Sequence, residues 1–140
     1  LSPQRDALRL LAYVWPDQPE RLSRLRLALS LAAGDPAPVD RGDAAPWLAG
    51  RLDGGLPGTC HLVFSTVAFQ YFPPATQAAI AAMMAAAGAR ATPDSPLAWA
   101  AMEADATPGG AALTLRLWPG DLRLVAGRAG FHGQWVDWRL

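Results

Sequence analysis

The chain has 140 residues, 51% apolar and 17% charged, and its 12 basic and 12 acidic side chains cancel. That length suits one domain with a real core, and zero net charge leaves no electrostatic footprint for nucleic acid or an anionic membrane surface. Every basic residue is Arg, Cys60 is the single cysteine, and His61 and His132 are the two histidines, which excludes lysine chemistry and an internal disulfide and speaks against a metal cage.

In chain order, Ser2-Pro3 reads as an N-cap followed by proline at the first helical position, opening a helix to about Val14. Leu10 to Trp15 reads equally as a short strand. Asp17 is expected to cap a helix over about Gln18 to Ala33, with Leu22, Leu25, Leu29 and Ala32 on one face and Gly34 as its stop. Pro38 to Arg41 is a strand candidate. Asp43 caps a helix over about Ala44 to Leu52, and Gly54-Gly55-Leu56-Pro57-Gly58 is a loop.

From Gly54 to Ala89 the chain carries no Asp, Glu, Lys or Arg. This stretch reads as a strand, Thr59 to Val67, a break at Phe72-Pro73-Pro74, and a helix over about Ala75 to Ala87. An apolar run almost without alternation predicts an interior strand with both faces covered, and Cys60 on it predicts a core residue. Prolines, Gln70, Gln77 and weakly apolar Ala interrupt the run, so it is not a membrane span.

After the loop Thr92 to Pro96 come the strand Leu97 to Glu103 and two alternating runs, Ala111 to Trp118 and Asp121 to Gly127. Pro119-Gly120 joins them as a tight turn, which predicts an antiparallel hairpin. Gln134 to Arg139 is a final strand. The pattern predicts a single α/β domain over residues 1–140, three-layered and Rossmann-like, with a partly parallel sheet and an antiparallel C-terminal hairpin. Charge is sparse against an average of about 25%, which points to apolar area covered by a second copy or by further chain. The chain begins at Leu1 rather than Met, and the expectation is that residues lie upstream. No signal peptide is evident and the expected compartment is the cytoplasm.

Parallel αβ units ending in a hairpin resemble the C-terminal part of class I S-adenosylmethionine-dependent methyltransferases. The segments that carry the likeness are Asp17 to Leu22, Gly42-Asp43-Ala44 and Phe64 to Tyr71. The resemblance implies that Asp17 bonds the ribose hydroxyls, that Asp43 beside Ala44 meets the adenine amino group, and that Ser65 and Thr66 lie beside the cofactor. No glycine-rich loop of that family occurs in this sequence, so tight binding of S-adenosylmethionine by these residues alone is not expected. The chain is also similar to an uncharacterised bacterial family, domain of unknown function 2332, through Tyr13 to Gln18, Phe69 to Pro73, Leu117 to Gly120 and His132 to Trp138. That resemblance implies a histidine where Phe64 stands, and it implies no activity.

Each candidate has a plain structural reading beside it. Asp17 and Asp43 stand where helices begin, and capping is the commonest work of such an Asp. Ser65 and Thr66 lie near the C-terminal end of a strand, the edge at which open α/β sheets bind ligands, yet no base completes a nucleophile pair and no glycine-flanked elbow surrounds Ser65. Gln70 and Tyr71 offer an amide and a phenol to a flat substrate, or are half-buried turn residues. His132, between glycines, is the last substrate-contact candidate, or an incidental surface histidine. Trp118, Trp135 and Trp138 read as packing. Two functions follow: binding of S-adenosylmethionine or a related nucleotide with methyl transfer, or a non-catalytic interaction and assembly domain. A twofold homodimer is expected, with the uncharged helix Ala75 to Ala87 as the first choice of interface.

Overall fold

The structure is a computed structural model and describes residues 3–53 and 57–140. The expected cap Ser2 and the loop residues Gly54, Gly55 and Leu56 lie outside the described residues. By contacts the chain divides into two compact units, Leu1–Arg41 and Gly42–Leu140.

The first unit holds two helices in mutual contact, α1 (Pro3–Ala12) and α2 (Pro19–Gly34). Helix α1 tightens at its end, where Tyr13 N and Val14 N donate to Leu10 O and Leu11 O, three residues back. The strand alternative for this segment is therefore not the one adopted. Pro19 takes the first helical position of α2, so the cap falls on Gln18. Asp17 lies one residue outside it and is exposed, and the capping role expected for it is corrected. Leu22, Leu25 and Leu29 are half-buried as the helical period requires, while Ala32 is exposed. Pro38 to Arg41 forms no strand: two prolines, Pro36 and Pro38, remove backbone donors from the segment.

The second unit runs α3 (Ala44–Leu52), β1 (His61–Thr66), a single 3-10 turn (Phe69–Tyr71), α4 (Pro74–Gly88), β2 (Leu97–Ala104), β3 (Ala111–Trp118), β4 (Leu122–Ala129) and β5 (Val136–Trp138). The five strands form one sheet in chain order. Only β1 and β2 are parallel, in the register Val63 opposite Trp99; β2 to β5 form an antiparallel meander. Mixed α/β architecture is as the sequence indicates, but the parallel part is one pair.

One face of the sheet receives the helices. Leu48 and Leu52 of α3, Ile80 and Met84 of α4, Leu97 of β2 and Trp118 of β3 form the core, with Val63 and Trp99 packed against it. Met84 is fully enclosed. At the end of α4, Gly88 meets the flat of the Trp118 indole, and a Cβ built there would lie inside the ring's van der Waals shell. Arg90 follows and donates to Ala86 O and Leu52 O at 3.2 Å, tying the ends of α3 and α4 together.

The uncharged strand is not interior. Among the described residues β1 is an edge strand, and its burial alternates: His61, Val63 and Ser65 are half-buried, Leu62, Phe64 and Thr66 exposed. Cys60, expected in the core, is exposed. Absence of charge had implied two covered faces, but α3 and α4 supply cover for one. The opposite face carries Leu62 and Phe64 of β1 and, by strand alternation, Leu113, Leu115, Leu117 and Leu122. Phe64 is 70% exposed. Val63→Asp is therefore expected to cost about 2–3 kcal/mol by placing an unpaired charge against the core, and Phe64→Asp less than about 0.5 kcal/mol. Urea denaturation of the two variants checks this, and equal losses would mean that both faces are covered.

Candidate functional site

The C-terminal end of β1 is held by several converging hydrogen bonds. Val67 N donates to Met102 O at 2.7 Å, and Val67 itself has φ 49°. A β-branched residue in the left-handed region is strained, and such strain persists only where neighbours over-determine it. The neighbour here is Glu103, the sole charged residue of β2. Its Oε1 accepts from Ala68 N at 3.2 Å and Phe69 N at 3.0 Å. Its Oε2 accepts from Ala68 N at 3.1 Å and Gln70 N at 3.3 Å. The successive N–H groups of the turn thus converge on one carboxylate, as they would on a bound anion. Gln70 answers with Oε1, which accepts from Ala104 N at 2.6 Å. Gln77 Nε2 of α4 closes the turn by donating to Phe72 O at 2.9 Å.

This geometry bears on acyl-transfer chemistry. In a nucleophile elbow the strained residue carries the nucleophile, and the next N–H helps to hold the oxyanion. Here the strained residue is Val67, which has no nucleophile, and the next N–H, that of Ala68, is taken by Glu103.

A pocket of about 320 Å³ opens beside the turn, between the start of α3 and the end of β1. Ala44, Ser65 and Thr66 line it together, with Trp47, Phe69 and Trp99 as aromatic walls. Ser65 Oγ is buried without a hydrogen-bond partner among the described residues. Unpaired buried hydroxyls are uncommon because desolvation is costly. Phe69 meets Trp99 edge-on at 5.5 Å between ring centroids.

The expected site residues therefore divide. Ala44, Ser65 and Thr66 share this pocket, and Asp43 adjoins it as the cap of α3, its Oδ1 accepting from Ala45 N at 3.1 Å. Asp17 lies in the other unit. Gln70 is spent on the turn, Tyr71 is exposed, and His132 is exposed in the link between β4 and β5; none of the three lines the pocket. Glu103 was missed by sequence reasoning, although a lone acid ending an apolar strand was its available signal. No group of three or more His, Cys, Asp or Glu side chains among the described residues is placed to hold a metal ion, and no helix among them is long and apolar enough to cross a membrane.

A model of one protein family matches residues 1–138. The chain belongs to that family, described as an uncharacterized protein conserved in bacteria (DUF2332). Comparison with curated proteins and with solved structures finds no match. None of these comparisons carries the methyltransferase likeness. In this DUF2332 chain the segment Phe69 to Pro73 is the turn held by Glu103, Leu117 to Gly120 leads into the β3–β4 link, and His132 to Trp138 contains β5.

The β3–β4 link is charged. Arg116 Nε donates to Asp121 Oδ1, and Arg123 Nη2 donates to Asp121 Oδ2 at 3.2 Å. The Arg116 guanidinium lies over the Trp118 ring, 4.4 Å from its centroid. Hydrogen bonding first from Arg116 and then from Arg123 lowers the Asp121 carboxyl from its ordinary 3.8 to about 2. A carboxyl lowered on folding stabilises above its unfolded value and loses that contribution as pH falls through the folded one. The ion cluster is thus expected intact above about pH 4 and lost as the pH falls through about 2. A carboxyl-carbon NMR titration checks this: Arg116→Gln should raise the Asp121 midpoint, and an ordinary midpoint in the unaltered chain would rule the cluster out.

Proposed function

We propose that the pocket between α3 and the end of β1 binds the adenosine part of S-adenosylmethionine or of a related nucleotide. The observation that supports this reading is that Ala44, Ser65 and Thr66 line one pocket in which the Ser65 hydroxyl has no partner. Aromatic walls suit a purine, and an unpaired hydroxyl suits a ligand hydroxyl or amine. Methyl transfer depends on aligning an acceptor with the sulfonium methyl and can proceed without a strong base, so the lack of an acid–base pair is compatible with it. Binding in this reading is weak, because no glycine-rich loop contributes. Titration of the chain with S-adenosylhomocysteine, followed by amide NMR, is the test. Shifts should concentrate at Ala44, Ser65 and Thr66, and Ser65→Ala should weaken binding several-fold. Shifts absent from those residues at millimolar ligand would remove the reading.

The second reading is a non-catalytic assembly domain. Two observations favour it: Glu103 occupies the N–H groups of the turn, and the sheet face opposite the helices is uncharged with Phe64 exposed. In this reading a twofold homodimer forms through that face rather than through α4. Met84 of α4 is buried, and Ala75, Ala78, Ala79, Ala82 and Ala86 are what it offers outward. Light scattering separates the two readings, since a monomer at high micromolar concentration counts against assembly.

A further inference from the structure

A second, larger cavity lies on the helix side of the sheet, beyond α4. It measures about 510 Å³, within the range of about 300–1,000 Å³ that holds small organic molecules. Trp99 of β2, Thr114 of β3 and Val125 of β4 form its floor, and Phe69 of the 3-10 turn and Ala81 of α4 form its wall. Phe69 and Trp99 also wall the first pocket, so the aromatic pair is a partition between a cavity on the β1 side and one on the β3–β4 side.

The two ends of this groove differ in charge. Glu103 stands at the end near Phe69, but its carboxylate is already engaged by three N–H groups, that of Ala68 shared between its two oxygens. Arg116 and Arg123 stand at the other end, with Asp121 as their shared partner. Two guanidinium groups on one carboxylate leave one positive charge. The Arg116 side chain is 19% exposed and fixed on Trp118, and its two Nη groups take no part in the hydrogen bonds of the described residues. A fixed planar fork of this kind matches a carboxylate.

We propose that this groove binds a small molecule with an apolar, ring-sized body and a single carboxylate. The body lies on Trp99, Thr114 and Val125, and the carboxylate lies on Arg116 and Arg123. The inference stands apart from the nucleotide reading, since it uses neither Ser65 nor Thr66.

The test is amide and indole NMR of the chain titrated with 4-phenylbutyrate and, separately, with its neutral amide. The acid should shift Trp99 Nε1–H, Thr114 and Val125 and leave Ala44 and Ser65 unmoved. The amide should bind about fivefold more weakly, the share of one partly exposed ion pair. Arg123→Gln alters an exposed side chain and should cost the acid, but not the amide, about the same factor. Val125→Glu, also at an exposed position, should abolish binding of the acid. Equal binding of acid and amide, shifts centred elsewhere, no binding at millimolar acid, or unimpaired binding by Val125→Glu would each overturn the proposal.

Discussion

Glu103→Ala is expected to destabilise the chain by about 2–3 kcal/mol, more than its partial exposure would suggest. The carboxylate accepts from Ala68, Phe69 and Gln70 at 3.0–3.3 Å, and these donors belong to a turn that begins with a strained valine. Removing the acceptor leaves three N–H groups to water or to nothing, and it frees Val67 to leave the left-handed region. Glu103→Gln retains one acceptor oxygen and should lose about half as much. Urea denaturation gives the energies, and hydrogen exchange gives the location. The amides of Ala68, Phe69 and Gln70 should exchange much faster in the alanine variant. Unchanged exchange with a loss under about 0.5 kcal/mol would show that the turn holds itself.

Gly88→Ala is expected to cost about 2 kcal/mol net. Helix propensity alone favours the alanine by up to about 1 kcal/mol, so the sign depends on packing. The new methyl would enter the face of the Trp118 indole, which is buried and also carries the Arg116 guanidinium stacked over its ring. A rigid ring cannot yield as a flexible side chain does, and overpacking wins. Gly50 in α3 is the internal control, because a Cβ there meets nothing within 4 Å. Gly50→Ala should stabilise by about 0.5–1 kcal/mol. Two stabilised variants would mean that the indole moves aside.

The hairpin strands were the most legible part of the sequence. Leu113, Leu115 and Leu117 alternate with Thr114, Arg116 and Trp118, and β3 spans Ala111–Trp118 as expected. Caps and breaks were legible where one residue decides the outcome: Asp43 caps α3 as expected, whereas Pro19 displaced the cap of α2 from Asp17 to Gln18. The position of β1 was not legible. A lack of charge reports that both faces are apolar, and it carries no information on what covers them. The candidate site was legible as residues but not as geometry. Ser65 and Thr66 were singled out by their place at a strand end and do line a pocket with Ala44. Glu103 and Val67 were invisible as a pair, because a carboxylate serving a turn 33 to 35 residues away leaves no local pattern.

The sheet also sets an order of assembly. Strands β2 to β5 follow one another in chain order as a meander, so each pairing closes a short loop. The parallel pairing of β1 with β2 instead waits for the whole excursion through the 3-10 turn and α4. Closing a long loop carries the larger entropic cost and is slow to be rewarded. The meander is therefore expected to form first and to act as the template onto which β1 and its turn dock last. Pulsed hydrogen exchange during refolding would then find the amides of β3 and β4 protected before those of β1. Both proposed cavities, which share Phe69 and Trp99, would come into being only at that final step.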